Sequence, residues 1–387
     1  MSTRNFVPRA DGEGEIGTNS KRWNKGNFIK IYTRDVDYPR LLVPAGRSNV
    51  AVDSSGNFYI VGIQSYNGVS QGILRCYKST DGGATWQEVG NGFGNLSYTH
   101  DSLDVAIDVD NNGLIGVLFK GCNATIPAVY NVYFSLWDGT EWNTVQAVSS
   151  ETTSGYDCID LDLCVGGNNV WHAVWAQKHS GSTSYRQIRY CQRSAGDAGT
   201  WGSITNIGTA PTAADSRYCN IIVSSDNYQN IVWRDAANSN YNTLTRWNGT
   251  GWSTYASTNT NFCYDIVIDS TDKIYLGQGS VYDTVLTVTS AGVWGTITGF
   301  GSGVCPYQLN MDSSNNLFAF SVQKSNTPYA TSILCKYNGS SWSSGQIINA
   351  SGYGLVTRAL MANNKRLSTP YIFLLGYGKI YAEELTG

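Results

Sequence analysis

Seven polar residues recur at one offset from a turn-forming string: Asn49, Asp104, Asp160, Asn220, Asp265, Gln308 and Arg358. Carboxylates gathered at a channel mouth have the chemistry to hold a cation through oxygen ligands. The plainer role is to hydrate the mouth and cap strand ends. A second set is aromatic. Tyr98, Tyr156, Tyr218, Tyr264, Tyr307 and Tyr353 precede the same segments, and Tyr66, Tyr185, Tyr241, Tyr282, Tyr329 and Tyr377 lie in or beside a second group of loops. Tyrosine combines a rigid apolar face with a polar tip, which suits it to stack on a sugar ring or to meet another protein. It equally suits capping of packed strand ends. Nine cysteines form no C-x-x-C pair, so they read as buried thiols. Cys158, Cys219, Cys263 and Cys305 fall near the polar set but on separate repeats, which speaks against one metal-binding cluster. His100, His172 and His179 lack metal-ligand spacing, and His172 alternates within a strand as a packed histidine would. No metal site and no cofactor is expected.

These residues are placed by a repeat. Its turn reads Val52-Asp53-Ser54-Ser55-Gly56-Asn57, then Ile107-Asp108-Val109-Asp110-Asn111-Asn112, and returns at Leu163–Asn168, Val223–Asn227, Ile268–Asp272, Met311–Asn316 and Met361–Lys365. Asp, Asn, Ser and Gly supply side-chain acceptors and positive φ, the chemistry of a hairpin turn. Alternating or apolar runs flank each copy, and six units end in a tryptophan: Trp86, Trp142, Trp201, Trp252, Trp294 and Trp342. A period of about 50 residues with four strands per unit implies an all-β, seven-bladed β-propeller with four-stranded blades. The last unit lacks room for a fourth strand, and Asn27–Tyr32 is placed to supply it, closing the ring and removing its edges. Residues 1–26 then form an extended N-terminal segment and 27–387 the propeller.

Composition agrees. Of 387 residues, 42 are Gly, 25 Tyr and 12 Trp, against 14% charged. A net charge of −3 provides no basic field for nucleic acid. No apolar stretch is long enough to cross a membrane as a helix, and the first residues lack a signal-peptide core, so synthesis in a cytoplasm is expected.

One turn, Ser79-Thr80-Asp81-Gly82-Gly83-Ala84-Thr85-Trp86, resembles the Asp-box of sialidase-like propellers, S-x-D-x-G-x-T-W, at Ser79, Asp81, Gly83, Thr85 and Trp86. Trp137–Trp142, Trp247–Trp252 and Tyr337–Trp342 are decayed copies. In that family the box is structural and faces away from the ligand, so the resemblance implies fold and little about activity. The sialidase chemistry would ask for three arginines, a Tyr/Glu pair and an acid. Arg47, Arg217, Arg358, Tyr218, Glu151 and Asp101 are available for it, but the family's arginine-bearing opening motif is missing and Glu is scarce. A non-enzymatic chain is therefore expected. The stretch Phe6–Trp23, with Pro8-Arg9-Ala10, Gly12-Glu13-Gly14 and Gly17-Thr18, resembles a segment of bacteriophage tail-fibre and appendage proteins. Together the resemblances imply a virion structural protein, made in the host cytoplasm, attached to other virion proteins through residues 1–26 and present in multiple copies per attachment point. Its propeller head would bind a host-surface glycan or a neighbouring virion protein. A glycan-cleaving enzyme and a purely scaffolding propeller are the alternatives.

Overall fold

The computed structural model describes residues 31–32, 41–42, 50–65, 72–90, 104–122, 129–152, 157–179, 182–208, 215–260, 263–278, 284–300, 308–323, 331–343, 346–348, 356–361, 371–376 and 379–384. The chain is an all-β propeller with four-stranded antiparallel blades. Six blades each use one contiguous segment. Blade one has Val50–Val52, Phe58–Ser65, Gly72–Ser79 and Gln87–Glu88, with Leu41–Leu42 also pairing its second strand. Blade two has Val105–Val109, Ile115–Cys122, Tyr130–Trp137 and Gln146–Ala147. Blade three has Cys158–Val165, Trp171–His179, Ser182–Arg193 and Thr205–Ile207. Blade four has Arg217–Val223, Gln229–Asp235, Tyr241–Trp247 and Trp252–Ala256. Blade five has Cys263–Ile268, Ile274–Gln278, Thr284–Val288 and Trp294–Thr298. Blade six has Gln308–Met311, Leu317–Gln323, Thr331–Tyr337 and Gln346–Ile348. A further sheet joins Val356–Met361, Tyr371–Gly376 and Lys379–Glu384 to Ile31–Tyr32, with Ile31 opposite Glu383. Asn27 to Lys30 and the segment 1–26 lie outside the described residues.

The up-and-down strand order puts two kinds of connection at opposite ends. Turns between first and second strands, and between third and fourth, share one face, while the remaining loops share the other. The turn face repeats one device. Asp53, Asp110, Asp269 and Asp312 each open a first hairpin, and one carboxylate oxygen accepts the N–H groups two and four residues on. The residue three places after each opener is left-handed. It is Gly56 and Gly113 in blades one and two, then Asn169, Asn227, Asp272 and Asn315, at φ from 61° to 63°. From blade three onward that side chain reaches back to the preceding turn. Asn169 Oδ1 accepts Asn111 N at 3.0 Å, Asn227 Oδ1 accepts Asn168 N at 3.1 Å, Asp272 Oδ1 accepts Ser225 N at 2.9 Å and Asn315 Oδ1 accepts Ser270 N at 3.0 Å.

The Asp-box closes in the same local way. Asp81 Oδ1 accepts Thr85 N and Ser79 Oγ at 2.8 Å, Ser79 Oγ accepts Gly83 N, and Trp86 Nε1 donates to Gly83 O at 3.1 Å. In the decayed copies Asp138, Asn248 and Asn338 each accept the N–H groups two and three residues on. The tryptophans then wedge against the preceding blade. Trp142 Nε1 donates to Val89 O at 2.9 Å, and Trp201, Trp252 and Trp342 meet Phe134, Tyr190 and Phe300 edge-on at centroid distances of 5.2, 5.0 and 5.0 Å.

The core is divided among the seams between blades. Each seam described holds its own apolar cluster and at least one buried thiol. Cys76 lies between blades one and two, Cys158 and Cys191 between two and three, Cys219 between three and four, Cys263 between four and five, and Cys335 between five and six. His172 is packed in the three–four seam with Nδ1 2.8 Å from Tyr190 Oη, and burial lowers its pKa from 6.5 to about 4.

Candidate functional site

The first strand of each blade is a sheet edge, so its outward N–H groups need partners. Carboxylates of the neighbouring blade supply them. Asp108 Oδ2 accepts Val165 N, Asp162 Oδ2 accepts Ile221 N, both at 2.8 Å, and Asp265 Oδ2 accepts Leu309 N at 2.9 Å. In each case the other oxygen holds the N–H of the next residue in its own strand. Nearer the loop face Asp160 Oδ2 accepts Tyr218 N at 2.8 Å and lies 3.4 Å from Arg217 Nε. Burial and the Asp160 charge push the Asp104 carboxyl above its ordinary pKa, against the pull of Lys120 and a hydrogen bond from the Asp160 backbone.

This geometry corrects the expected polar ring. Hydrogen-bond register places Asn220 opposite Val232, Asp265 opposite Gly277 and Gln308 opposite Phe320, each three residues before the last pair of its hairpin. The equivalent residues in blades two and three are Ala106 and Asp162, not Asp104 and Asp160, which lie two residues nearer the loop face. A shift of two preserves the side of the strand, so alternation alone cannot reveal it. Asp160 and Asp265 are engaged by backbone N–H groups, so their role is to join first strands across blades rather than to line a cation ring. Asn49 lies outside the described residues, and Arg358 stands in a strand opposite Leu375. Among the described residues no group of three potential ligands is arranged to hold a metal. Cys158, Cys219 and Cys263 occupy three different seams, and Cys305 lies outside the described residues.

Four of the expected tyrosines are described: Tyr185, Tyr218, Tyr241 and Tyr264. Tyr66, Tyr98, Tyr156, Tyr282, Tyr307, Tyr329, Tyr353 and Tyr377 lie outside the described residues, as do Arg47, Asp101 and His100. Tyr241 begins the third strand of its blade and Tyr185 is the fourth residue of Ser182–Arg193, both half-buried. Tyr218 of blade four and Tyr264 of blade five come together, with ring centroids 5.7 Å apart and planes at 66°. Arg217 lies over the Tyr218 ring at 5.2 Å. β-Bulges in the first strands of blades three, four and five present these residues, and Asp160 and Tyr218 adopt φ of 54° and 57°. Left-handed backbone at a bulky non-glycine residue costs about 1–3 kcal/mol, and such strain gathers at ligand sites.

Beside this pair runs an ionic chain that the sequence reading missed. Lys120 Nζ is 2.5 Å from Asp157, Arg186 is 2.6 Å from both Asp157 and Asp215, and Lys120 also lies over Tyr130 at 4.3 Å. Burial opposes ionisation of Asp157, yet Lys120 and Arg186 prevail and hold its carboxyl below the usual range. The four charges come from strands and loops far apart in sequence, so no local spacing signals them. Glu151 is tied through its backbone to Asn131, with Asn131 Oδ1 accepting Glu151 N at 2.7 Å.

No protein-family model and no curated protein matches the sequence. Solved structures do share the fold. The BP39L lectin from Burkholderia pseudomallei superposes with a TM-score of 0.62 at 11% identity, covering 88% of this chain and 96% of the lectin. A catalytically inactive virginiamycin B lyase from Staphylococcus aureus, solved with quinupristin, gives 0.56 at 10% identity, over 93% of this chain and all of the lyase. YCF48 bound to D1 peptide gives 0.52 at 12% identity, over 92% and 98% of the two chains. These neighbours include a lectin, an enzyme and a peptide-bound propeller, so they identify the architecture and leave the activity to the site.

Proposed function

We propose that this chain is a non-enzymatic virion structural protein of a bacteriophage, of the tail-fibre or appendage type, whose propeller head binds a host-surface glycan. Residues 1–26 attach it to other virion proteins. The head is a seven-bladed ring in which the Ile31–Tyr32 strand completes the last blade. Support for that closure comes from its pairing with Lys379–Glu384.

The observation that carries the binding reading is the Tyr218–Tyr264 pair, presented by β-bulges on the loop face, Tyr218 itself at φ 57°, with Arg217 stacked upon it. Two inclined aromatic faces with phenolic tips suit a sugar's apolar face and its hydroxyls. The carboxylates around them are held by backbone N–H groups and arginine, an arrangement that supports positioning rather than acid–base catalysis. Binding of immobilised host-cell polysaccharide by the purified chain tests the reading. Tyr264→Ala should weaken it about tenfold, the scale of one aromatic contact. Unchanged binding, or release of sugar fragments by the chain, would count against the proposal. Deleting residues 1–26 should leave the propeller folded and abolish incorporation into particles.

A further inference from the structure

We propose that the seam between blades four and five is a built-in opening of the ring, latched on the loop face by Tyr218 against Tyr264. The latch, though not the opening, rests on the proposed reading of that face as the glycan site.

The argument begins with one position shared by blades one to four and by blade six, where it is Ser332 opposite Val322. The third-strand residue opposite the sixth residue of the second strand is Leu74, Val132 and Ile188 in blades one, two and three. All three are buried apolar residues that pack in the seams. In blade four the same position is Asn242, opposite Arg234. Asn242 is 0% exposed, and neither its Oδ1 nor its Nδ2 has a hydrogen-bond partner. Register fixes the side on which it lies. Val232 and Leu244 belong to the cluster shared with Cys263 and Leu276 of blade five, and Asn242 is two residues along from Leu244 on the same side of the strand.

The blade-five side matches it. Gln278, also 0% exposed and two residues from Leu276, accepts a hydrogen bond from Thr284 Oγ1 but leaves Nε2 unpaired. Lower in the seam Asn230 Oδ1, Arg246 Nη1 and Trp294 Nε1 are also buried without a partner. Six buried polar atoms therefore go unpaired between two blades. Folding strips water from each without a full replacement, and separating the blades restores it. The other seams among blades two to six carry carboxylate bridges between first strands, whereas here Asn220 takes the carboxylate's place and reaches Cys263 Sγ at 3.8 Å. On the loop face the rings of Tyr218 and Tyr264 meet across the junction, so a ligand touching both would hold it shut.

The seam thiols report the opening directly. Cys76, Cys158, Cys219, Cys263 and Cys335 are each at most 2% exposed in a different seam, so alkylation requires that seam to separate. The intact chain is pulsed with iodoacetamide under native conditions, and modification is read site by site by peptide mass spectrometry. Cys263 should react at least tenfold faster than Cys158 and Cys219. Asn242→Val, which restores the residue type of blade two, should slow Cys263 alone. A Cys263 rate no greater than that of Cys158 overturns the proposal. Host polysaccharide at saturation should slow Cys263 at least fivefold, and polysaccharide that binds without slowing it overturns the latch. If no polysaccharide binds, the glycan reading and the latch fall together, while the thiol ratio still decides the opening.

Discussion

The junctions on either side of blade four use the same strands and differ in chemistry. Between blades three and four, Asp160 and Asp162 accept backbone N–H groups of Tyr218 and Ile221, Arg186 grips Asp215, and Asn227 holds the preceding turn. Between blades four and five Asp272 still holds the preceding turn, but Asn220 stands in the place of Asp162, and Asn242 and Gln278 are buried with unmet donors or acceptors. Apolar contact fills both seams, so burial does not separate them. What separates them is how many of the polar groups that leave water go unpaired: His172 Nε2 does so in the three–four seam, and six atoms do so between blades four and five. A propeller's blades are alike in shape, and its cohesion is still set seam by seam.

The sharpest way to break the contrast is Asp162→Ala. It removes the acceptor for both Leu163 N and Ile221 N in a buried place, so unfolding free energy should fall by about 4 kcal/mol in a denaturant titration. Asn220→Ala, at the equivalent position one seam away, should cost much less. Acid should bring the two seams closer together. His172 is neutral in the folded chain with a pKa of about 4, against 6.5 when unfolded, so the unfolded state takes up the proton first. Stability is complete above pH 6.5 and falls as the pH drops towards 4, by about 3 kcal/mol from this residue. His172→Gln should flatten that part of the pH–stability curve. Ser225→Ala deletes the Oγ hydrogen bond to Asp272 at 2.8 Å while keeping the backbone bond, and should lower the thermal midpoint by the equivalent of about 1 kcal/mol. The smallest change is at Gly113, which occupies the left-handed turn position that carries Asn or Asp in blades three to six at φ 84°, with nothing within 4 Å of a Cβ there. Gly113→Asn should move unfolding free energy by no more than about 0.5 kcal/mol, since strain at positive φ offsets the reduced unfolded-state freedom.

The turns were the most legible part of the sequence because their chemistry is local. Asp53, Asp81, Asp269 and Asp312 accept N–H groups within four residues, so the string itself contains both partners. The tryptophans were legible because each ends one of these local turns, although their ring contacts reach the preceding blade. The site was harder to read. In Asp108-Val109-Asp110 either aspartate can be taken for the turn opener, and the wrong choice slides the polar set by one pleat without changing its side. The Lys120–Asp157–Arg186–Asp215 chain and the Tyr218–Tyr264 contact join residues 29 to 46 positions apart, brought together only by the folded blades. No spacing rule within one repeat could announce them. The substitution of Asn242 for an apolar residue was visible once strands were paired, since register, and not composition, shows which residue stands where Val132 and Ile188 do.

The left-handed turn residues point in one direction along the chain. Asn169, Asn227, Asp272 and Asn315 each complete the hairpin of the blade made just before their own. During synthesis a blade therefore leaves the ribosome with its turn unfinished and acquires the missing acceptor only when its successor follows. Growth has a polarity, each newcomer sealing its elder, and a chain stalled between blades would present one raw turn at its growing end.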